Sequence, residues 1–571
     1  MAGSVTSLDT GMFELHHTEV HGVRCFWVET GRPTLAAQLL FRTGMVDESL
    51  TESGWLHLLE HLALHGRGGG ALQVNGSVSL LHTAFEAHGP AEAVADHLRD
   101  VSGWLSRPTF LEFERERGVL HAESAFRPAS QVTRALAWRY GARGPGIASH
   151  NDAGLGRATP ELLSARAASV FTRGNAVLVL DGPPPAGLSL TLPGGELLPP
   201  PVSQPVETDV PAAYLEEGGL VLSGLVDRSA TATLVPELVE RALKERLREH
   251  AGAAYAPWGL YERVDDHTAV VIGGSDVLPT LLPTLAGHAL DVIDRMQAQP
   301  IPEAWLSEML GAREQGMLDP YAGPGVAMHA AHAVLRGEEP KTHAALLDEV
   351  RNTDPHDVHR SLTHFCQSLM LGLPSGTAWR DQLRQVVHPE RAPSREGHRF
   401  RHRSWPATTA HMRVTSVGLE VSDRDVARAV DLDRLAGLMV FDDGVRRLED
   451  IDGWGVNVVP DEWHDGPRLV SMVDQLVPKD LHLPQPARFD PPAYVRPGPW
   501  QRWKPAVRRG WLAAWPVTRI VLVVLIMASL FLAAVMLQMP ALSLLSALLI
   551  GRIVRWVSAR ASTSRPDDRA G

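Results

Sequence analysis

Three residues in one short stretch of the sequence have the types and the spacing of a metal site. His57, Glu60 and His61 follow one another in the order His-x-x-Glu-His within residues 55–66. In a helix, His57 and His61 share a face and can offer two imidazole nitrogens to one cation. Glu60 lies on the edge of that face, where it can take a proton from a metal-bound water without being a ligand. The pattern predicts a zinc site, and the alternative is a chance run of ordinary helix residues.

A second predicted helix, over residues 110–126, carries two acidic residues that could complete the site. Glu116 and Glu123 lie seven residues apart and therefore project from one face. Either could be the third ligand of a zinc ion held by two histidines and one carboxylate. Thr109 and Glu112 have the spacing of a capping box, which predicts the start of this helix. The alternative for acidic residues on a helix is a solvated face.

The elements that must position these residues follow from hydrophobic periodicity and turn residues. Strands are expected at residues 13–29, 34–42, 72–79, 83–85 and 175–181, and helices at residues 53–65 and 91–105. Thr159 and Pro160 are typical of a helix start. Residues 212–387 repeat this mixture, which indicates an internal duplication, but they contain no second His-x-x-Glu-His. His329 and His332 lie there without an evident carboxylate partner, so we interpret them as core or surface histidines.

Composition narrows the class of protein. A chain of 571 residues with 44% hydrophobic and 21% charged residues is expected to fold into several domains. The net charge of -12 argues against a general nucleic-acid binder. Cys25 and Cys366 are the two cysteines, too few for a disulfide framework and consistent with a reducing compartment. Residues 1–19 lack a secretory signal pattern, so we expect the folded body in the cytoplasm.

The C-terminal region has the pattern of a membrane segment. Residues 491–566 contain no acidic residue, and residues 520–550 within them contain no charge at all. A basic rim around a long uncharged run fits a bilayer, with lipid as the partner. Pro540 divides the run, so a hairpin of two spans and a single span with an interfacial helix both remain open. A buried helix of a soluble domain is the alternative.

The order of these features predicts the domain organisation. We expect a catalytic lobe (1–182), a linker (183–211), a second lobe (212–387), a linker (388–411), a small α+β module (412–478), a basic proline-rich tether (479–519), one or two transmembrane segments (520–557) and a tail (558–571). The small module, a sheet followed by one helix, is similar to pleckstrin-homology-like modules.

Residues 10–385 resemble the pitrilysin/insulinase family of zinc metallopeptidases, the inverzincins. Besides the metal motif and the two acidic residues after it, the matching positions are residues 44–48, Asn75, Thr83, residues 113–123, residues 157–160 and Asn175. The resemblance implies an α+β fold of two consecutive homologous α/β-sandwich lobes of the processing-peptidase type. It also implies that Glu123 is the third Zn²⁺ ligand and that Glu116 supports the site. The interval from His61 to Glu123 is shorter than in familiar members, which affects the intervening loops.

The second lobe carries a further match to the same family. Members have an arginine followed seven residues later by a tyrosine, and Arg248 and Tyr255 have that spacing. The resemblance implies that this pair binds the substrate backbone and stabilises the oxyanion, whereas the alternative is a surface arginine and a core tyrosine. The strand near Asn75 is expected to offer an edge to an extended peptide or unfolded polypeptide.

The family architecture has a consequence for assembly. Its closed chamber needs four lobes and this chain has two, so we predict a homodimer, or a heterodimer with a related subunit. In that dimer, Arg248 and Tyr255 of one chain complete the zinc site of the other. Two functions follow: a membrane-anchored zinc endopeptidase facing the cytoplasm, or a non-catalytic membrane scaffold or partner subunit that retains the fold. The intact Glu60 favours the first, since a structural zinc site needs no general base.

Overall fold

The computed structural model describes residues 6–8, 13–127, 129–150, 152–200, 202–250, 252, 256–378, 381, 383–404 and 408–487. The described residues fall into two compact units, one within residues 6–400, 412–460 and 465–487 and the other within residues 401–411 and 461–464. Within the described ranges, no helix has the length and apolarity needed to cross a membrane. The predicted membrane run, residues 520–550, lies outside the described residues.

The described residues form the following strands and helices. The strands are β1 Thr6–Leu8, β2 Leu15–Val20, β3 Val23–Trp27, β4 Leu35–Phe41, β5 Gln73–Val78, β6 Thr83–Gly89, β7 Ala176–Leu180, β8 Ala212–Leu215, β9 Leu220–Asp227, β10 Trp258–Arg263, β11 Thr268–Ser275, β12 Met370–Leu373, β13 Arg384–Gln385, β14 His398–Arg401, β15 His411–Val414, β16 Gly418–Asp423, β17 Val426–Asp431, β18 Leu435–Val440, β19 Arg446–Asp450, β20 Gly455–Val458 and β21 His482–Pro484. The helices are α1 Trp55–Leu64, α2 Ala91–Ser106, α3 Phe113–Phe126, α4 Gln131–Tyr140, α5 Pro160–Val170, α6 Val235–Leu243, α7 Leu285–Ala298, α8 Glu303–Met317, α9 Gly323–Val334, α10 His343–Arg351, α11 Pro355–Gln367 and α12 Gly466–Leu476.

The first lobe is built on a seven-stranded sheet in the order β1-β2-β3-β7-β4-β6-β5. Helices α1, α2 and α5 bury their apolar sides on one face of this sheet. The other face is covered by α9, a helix of the second lobe, whose Val326 and Ala330 join a cluster with Phe26 and Val177. The sheet is therefore apolar on both faces, which explains the unbroken hydrophobic run of β7.

The second lobe has a six-stranded sheet in the order β10-β11-β9-β12-β8-β13, and it uses a helix of the first lobe in return. Leu136 and Tyr140 of α4 pack on Val270 and Ile272 of this sheet. Buried Arg139 of α4 donates hydrogen bonds to the carbonyl oxygens of Ser223, at 2.7 Å, and Ser368, at 3.0 Å. Each lobe thus completes the core of the other.

The two sheets have the same topology over five strands. In the first lobe β3 and β7 are parallel, and β7, β4, β6 and β5 follow as antiparallel neighbours. In the second lobe β8 and β12 are parallel, and β12, β9, β11 and β10 follow in the same way. Helix α6 follows β9 as α1 follows β4. The repeated mixture of elements in the sequence therefore corresponds to a repeated topology.

One local expectation is wrong for a physical reason. The capping box at Thr109 does not form, because α3 begins later, at Phe113, with Glu112 as its N-cap residue and no side-chain cap. Residues 183–211 connect the two lobes, and Leu188, Leu190 and Leu192 of this segment are buried in the core of the first lobe. The leucines alternate along an irregular segment and bury apolar surface without joining a sheet.

The third module consists of two four-stranded sheets, β14-β15-β16-β17 and β20-β19-β18-β21, and helix α12. Strands β14 and β21 lie outside the predicted bounds of 412–478, and β21 belongs to the segment expected to start the tether. It pairs in parallel with β18. Met439 and Leu483 of the module pack with Leu50, Ile147 and Ala153 of the first lobe. The module is therefore docked on the first lobe beside the start of α1.

Candidate metal centre

Helix α1 begins at Trp55 because a buried carboxylate satisfies its first amides. Gly54, the N-cap residue, has a left-handed conformation with φ 89° and offers no side chain. Glu48 instead accepts hydrogen bonds from the amides of Gly54, at 3.1 Å, and Leu56, at 2.7 Å. These are the orphan donors of a helix N-terminus. Burial raises the pKa of Glu48 to about 8, although the two backbone hydrogen bonds act in the opposite direction.

The helix separates an apolar side from a side that carries the motif. Leu56, Leu58 and Leu59 are fully buried, and each contributes about 1.5–3 kcal/mol relative to exposure. His57, Glu60 and His61 lie on the other side, and one possible ligand atom from each lies within 4.8 Å of the other two. The local sequence thus produces the predicted juxtaposition directly.

Glu123 approaches the same group from α3. Nε2 of His61 lies 3.9 Å from Glu60 Oε2 and also 3.9 Å from Glu123 Oε1. The second oxygen of Glu123 lies 3.3 Å from Nη2 of Arg127. Glu123 therefore lies beside His61 but outside the mutually close group of His57, Glu60 and His61; Glu60 is buried and Glu123 is partly exposed.

Both histidines of the motif contact a carboxylate through Nδ1. His57 Nδ1 lies 3.2 Å from Asp152 Oδ2, and His61 Nδ1 lies 3.3 Å from Glu116 Oε2. A carboxylate only accepts hydrogen bonds, so each contact requires a proton on Nδ1 and leaves the Nε2 lone pair free in a neutral ring. Carboxylates that orient metal-binding histidines in this way are typical of protein metal sites.

Glu116 also contacts His65, whose Nδ1 lies 2.7 Å from Oε1 of the carboxylate. The sequence prediction placed Glu116 near the site but did not use His65. The sequence could have indicated His65, because His57, His61 and His65 follow one another at intervals of four residues along one helix face. Glu116 therefore joins α3 to the last turn of α1.

Asp152 is a site residue that the sequence prediction missed, and no spacing rule points to it. It lies 95 positions after His57 and has a left-handed backbone with φ 59°. Its carboxylate also accepts a hydrogen bond from the Ser124 hydroxyl at 2.9 Å. A Cβ on Gly54 would lie 2.6 Å from the Asp152 Cβ, so glycine is required at Gly54 for this approach. Asparagine and aspartate are the side chains that tolerate such a backbone best.

Glu60 lies directly against the backbone of β5. A Cβ on Gly76 would lie 2.0 Å from Glu60 Oε1, so only glycine leaves room for this carboxylate. Within the described part of the chain, strand β5 pairs with β6 alone and forms the edge of the sheet. Asn75, beside Gly76, is exposed on that strand. The edge that could receive an extended peptide therefore passes next to the predicted general base.

Burial and neighbouring charges shift the pKa values of Glu60 and His57. Burial raises the pKa of Glu60, with Glu123 and Glu116 acting in the same direction and His61 and His57 against it. Burial lowers the pKa of His57, but the carboxylates of Asp152, Glu60 and Glu123 outweigh it, so the net pKa is raised. A carboxyl group with a raised pKa is suited to accepting and returning a proton near neutral pH.

The group opens into a cleft of about 680 Å³. Its walls include Asn75 and Glu123 from the first lobe and Glu262 from the second. Among the described residues, Arg248 does not line it; Arg248 is exposed on a π-helical turn, Lys244–His250. Tyr255 lies outside the described residues. The cleft within one chain is thus formed without the predicted arginine.

The donor set fits a zinc ion. Imidazole nitrogen and carboxylate oxygen are ordinary zinc ligands, and the donors of a tetrahedral site lie roughly 3.3 Å apart. The separations of 3.9 Å from His61 Nε2 need only a small contraction to reach that value. Both rings are already held through Nδ1 by carboxylates. The residues that could hold the ion are His57, His61 and one of the two carboxylates, Glu60 or Glu123.

Comparison with known proteins identifies the fold. Pitrilysin superposes with a TM-score of 0.52 and 15% identity, over 66% of this chain and 47% of pitrilysin. A putative M16-like peptidase from Alicyclobacillus acidocaldarius gives 0.52 and 17% over 65% of this chain and 100% of its own. An inactive M16 peptidase domain from Pseudomonas fluorescens gives 0.51 and 13% over 66% and 100%. No protein-family model and no curated protein matches the sequence.

At these identities the likeness establishes the fold and nothing finer. The chain has the mixed α/β fold of pitrilysin and the M16 peptidases over about two thirds of its length, as the resemblance in the sequence implied. The superposed part spans about half the length of pitrilysin. Because the structures with this fold include an inactive domain as well as peptidases, activity has to be argued from the site itself.

Proposed function

We propose that the protein is a zinc-dependent endopeptidase that cleaves extended peptides or unfolded polypeptides. The observation that carries the proposal is the pair of carboxylate contacts to Nδ1 of His57 and His61, which leaves both Nε2 atoms available beside Glu60 and Glu123. A merely solvated helix face would not bury and orient two imidazoles in this way. In the proposed site His57, His61 and Glu123 hold the zinc.

The chain's own residues have distinct roles in peptide hydrolysis. When bound, zinc lowers the pKa of its water to about 7 and polarises the carbonyl of the substrate. Glu60 accepts the proton of the attacking water and transfers it to the leaving amine, a role that its raised pKa favours. Asp152 and Glu116 keep the two imidazoles in the orientation and tautomer that binding requires.

Substrate binding is assigned to the free edge of β5. An extended peptide can pair with an exposed edge strand through backbone hydrogen bonds, which depend little on sequence. Asn75 is exposed on this strand, and its neighbour Gly76 contacts Glu60, so a peptide added there passes the general base. This geometry favours unfolded segments over folded proteins, because only an extended chain can pair with the edge.

The proposal is tested with purified full-length protein and a mixture of unstructured peptides. We expect about one zinc per chain, cleavage that a chelator abolishes, and loss of cleavage in Glu60→Gln. The matched control is Glu114→Gln, a change of the same chemistry at an exposed residue of α3. Cleavage that survives in Glu60→Gln, or a wild type that binds no zinc, would refute the assignment.

A second function has its own supporting observation. The inactive M16 domain from Pseudomonas fluorescens has the same fold, so the fold also occurs without activity. A non-catalytic scaffold or partner subunit would still use the fold, and zinc binding without any Glu60-dependent cleavage would favour it. The buried Glu60 against Gly76 argues for the peptidase, because a structural zinc site needs no general base.

We further propose that two chains share their sites. Arg248 does not line the cleft of its own chain, and a neighbouring chain could supply it together with Tyr255. Mixing inactive His57→Ala with inactive Tyr255→Phe should then restore up to about a quarter of the activity, if subunits exchange freely. A mixture as inactive as its components would exclude shared sites.

Attachment to a membrane through residues 520–557, with the lobes in the cytoplasm, completes the proposal. Its basis is the uncharged run with basic flanks in the sequence. Fractionation of cells that express the full chain and a chain ending at residue 487 tests it. The full chain should sediment with membranes, and the shortened chain should not.

A further inference from the structure

The carboxylate that holds His57 is presented by a long connection between α4 and α5. This loop, residues 141–157, contains Asp152 in its left-handed conformation. A residue keeps such a backbone only where the surrounding structure holds it there. On one side the loop is held by the start of α1, since Gly154 donates its amide to the Ser53 carbonyl at 3.0 Å and Trp55 Nε1 donates to the Gly154 carbonyl at 3.1 Å.

On its other side the loop is held by the third module. Nε2 of His150, two residues before Asp152, lies 2.6 Å from Glu449 Oε1 of β19. Gln485 donates from its side chain to the carbonyl of Ala153, the residue after Asp152, at 2.9 Å. The amide of Ala142, at the start of the loop, donates to the Ile451 carbonyl at 3.1 Å. The contacts of His150 and Ala153 therefore bracket Asp152 in the sequence.

The His150–Glu449 contact is the strongest of these. Both side chains are buried, with exposures of 8% for His150 and 3% for Glu449. Burial raises the pKa of Glu449, but His150 and the Arg447 guanidinium outweigh it, so its pKa is below the usual value and the carboxylate is charged. Removal of His150 would leave the buried Glu449 carboxylate paired with Arg447, at 2.8 Å, so the His150 contact is the part of this network that joins the loop to β19.

We propose that the third module is a positioning element of the metal centre, in which Glu449 and His150 fix the loop that presents Asp152 to His57. The inference rests on the proposed zinc site, and it assigns to the module a role in metal affinity. Glu449 and His150 touch neither metal nor substrate and act through Asp152. Glu449 contacts His150, which precedes Asp152 by two positions in the sequence, and Asp152 contacts Nδ1 of His57.

The test measures zinc affinity of the full-length protein by competition with a chromogenic chelator. Glu449→Ala should weaken zinc binding roughly tenfold, the lower end of the effect of residues that support a ligand. Glu449→Gln can still bond His150 and should restore most of the affinity. The matched control is Asp474→Ala, which removes the partner of Arg446 in the same module, at 2.7 and 2.9 Å, but no contact with the loop. Urea unfolding of each variant records stability separately.

Two further variants separate the possible failures. Asp152→Asn should weaken zinc binding by about 10–100-fold, and adding Glu449→Ala to it should cost little more, because both changes act through the same carboxylate. His57→Ala should abolish binding. If the wild type binds no zinc, or His57→Ala binds it equally well, the proposed site itself is wrong. If zinc binds through His57 and Glu449→Ala retains wild-type affinity, or loses no more than Asp474→Ala, the positioning role is refuted and the site stands.

Discussion

Replacement of Gly76 by alanine tests whether the position of Glu60 controls catalysis. The new Cβ would lie 2.0 Å from Glu60 Oε1, and ordinary van der Waals contact begins at about 3.4 Å. The carboxylate must therefore move by about 1.4 Å. The atoms in the way belong to the end of a flexible side chain, so the strand itself can remain in place. The perturbation thus displaces the proposed general base and leaves the proposed zinc ligands untouched.

The expected effect is large for a methyl group. A misplacement of about 1 Å at a reacting centre costs on the order of 10²-fold in rate, which equals about 2.7 kcal/mol. We expect kcat for an unstructured peptide to fall by about this factor in Gly76→Ala, while zinc stoichiometry and the urea midpoint stay near the wild-type values. Substrate pairing with β5 is a backbone interaction, so KM should change by less than threefold.

The control is Gly118→Ala in α3, where an added Cβ meets no atom within 4 Å. It should leave kcat unchanged and slightly increase stability, because alanine is the better helix former. A kcat of Gly76→Ala within threefold of the wild type would refute the reasoning, since Glu60 would then have room to act from another position. Loss of zinc from Gly76→Ala would also refute it, because the displacement would not be confined to Glu60.

Three further predictions concern stability, each measured by urea unfolding. The pKa of Glu48 is about 8 in the folded protein, so the folded state holds a proton that the unfolded state releases between pH 4.5 and 8. The free energy of unfolding should therefore fall by up to about 4 kcal/mol as the pH rises over this range. Glu48→Gln should remove most of this pH dependence. Arg139→Met leaves the carbonyls of Ser223 and Ser368 without their donor and should cost about 2–3 kcal/mol, whereas a loss below 0.5 kcal/mol, a typical surface effect, would contradict the bridge between the lobes. Gly156→Ala places a Cβ 1.9 Å from the Pro484 carbonyl oxygen and should lower the free energy of unfolding by about 1–3 kcal/mol. An unchanged free energy would contradict the docking of the third module at this position.

Local rules predicted the elements whose pattern is complete within a few residues. Helix α1 was expected over residues 53–65 and extends over Trp55–Leu64. The Thr159 cap of α5 forms as expected, with its hydroxyl accepting the amide of Leu162 at 3.3 Å. The predicted start of α3, after Thr109, was wrong. The helix begins at Phe113, whose side chain is buried in the core of the lobe. The membrane run and Tyr255 lie outside the described residues and stay predictions.

The sequence by itself determined the juxtaposition of His57, Glu60 and His61, because a helix brings residues three and four apart onto one side whatever surrounds it. Periodicity likewise indicated the face shared by Glu116 and Glu123. Tertiary structure alone decided which distant groups hold this motif in place.

Asp152 reaches His57 from 95 positions away, and Gly76 gives Glu60 its space from a neighbouring strand. The exchange of α4 and α9 between the lobes is equally non-local. Such contacts join segments that are remote in the chain, and no residue spacing records them. Local helix geometry brings His57, Glu60 and His61 together, and the packing of lobes and module brings Glu123 beside them and orients the two histidines.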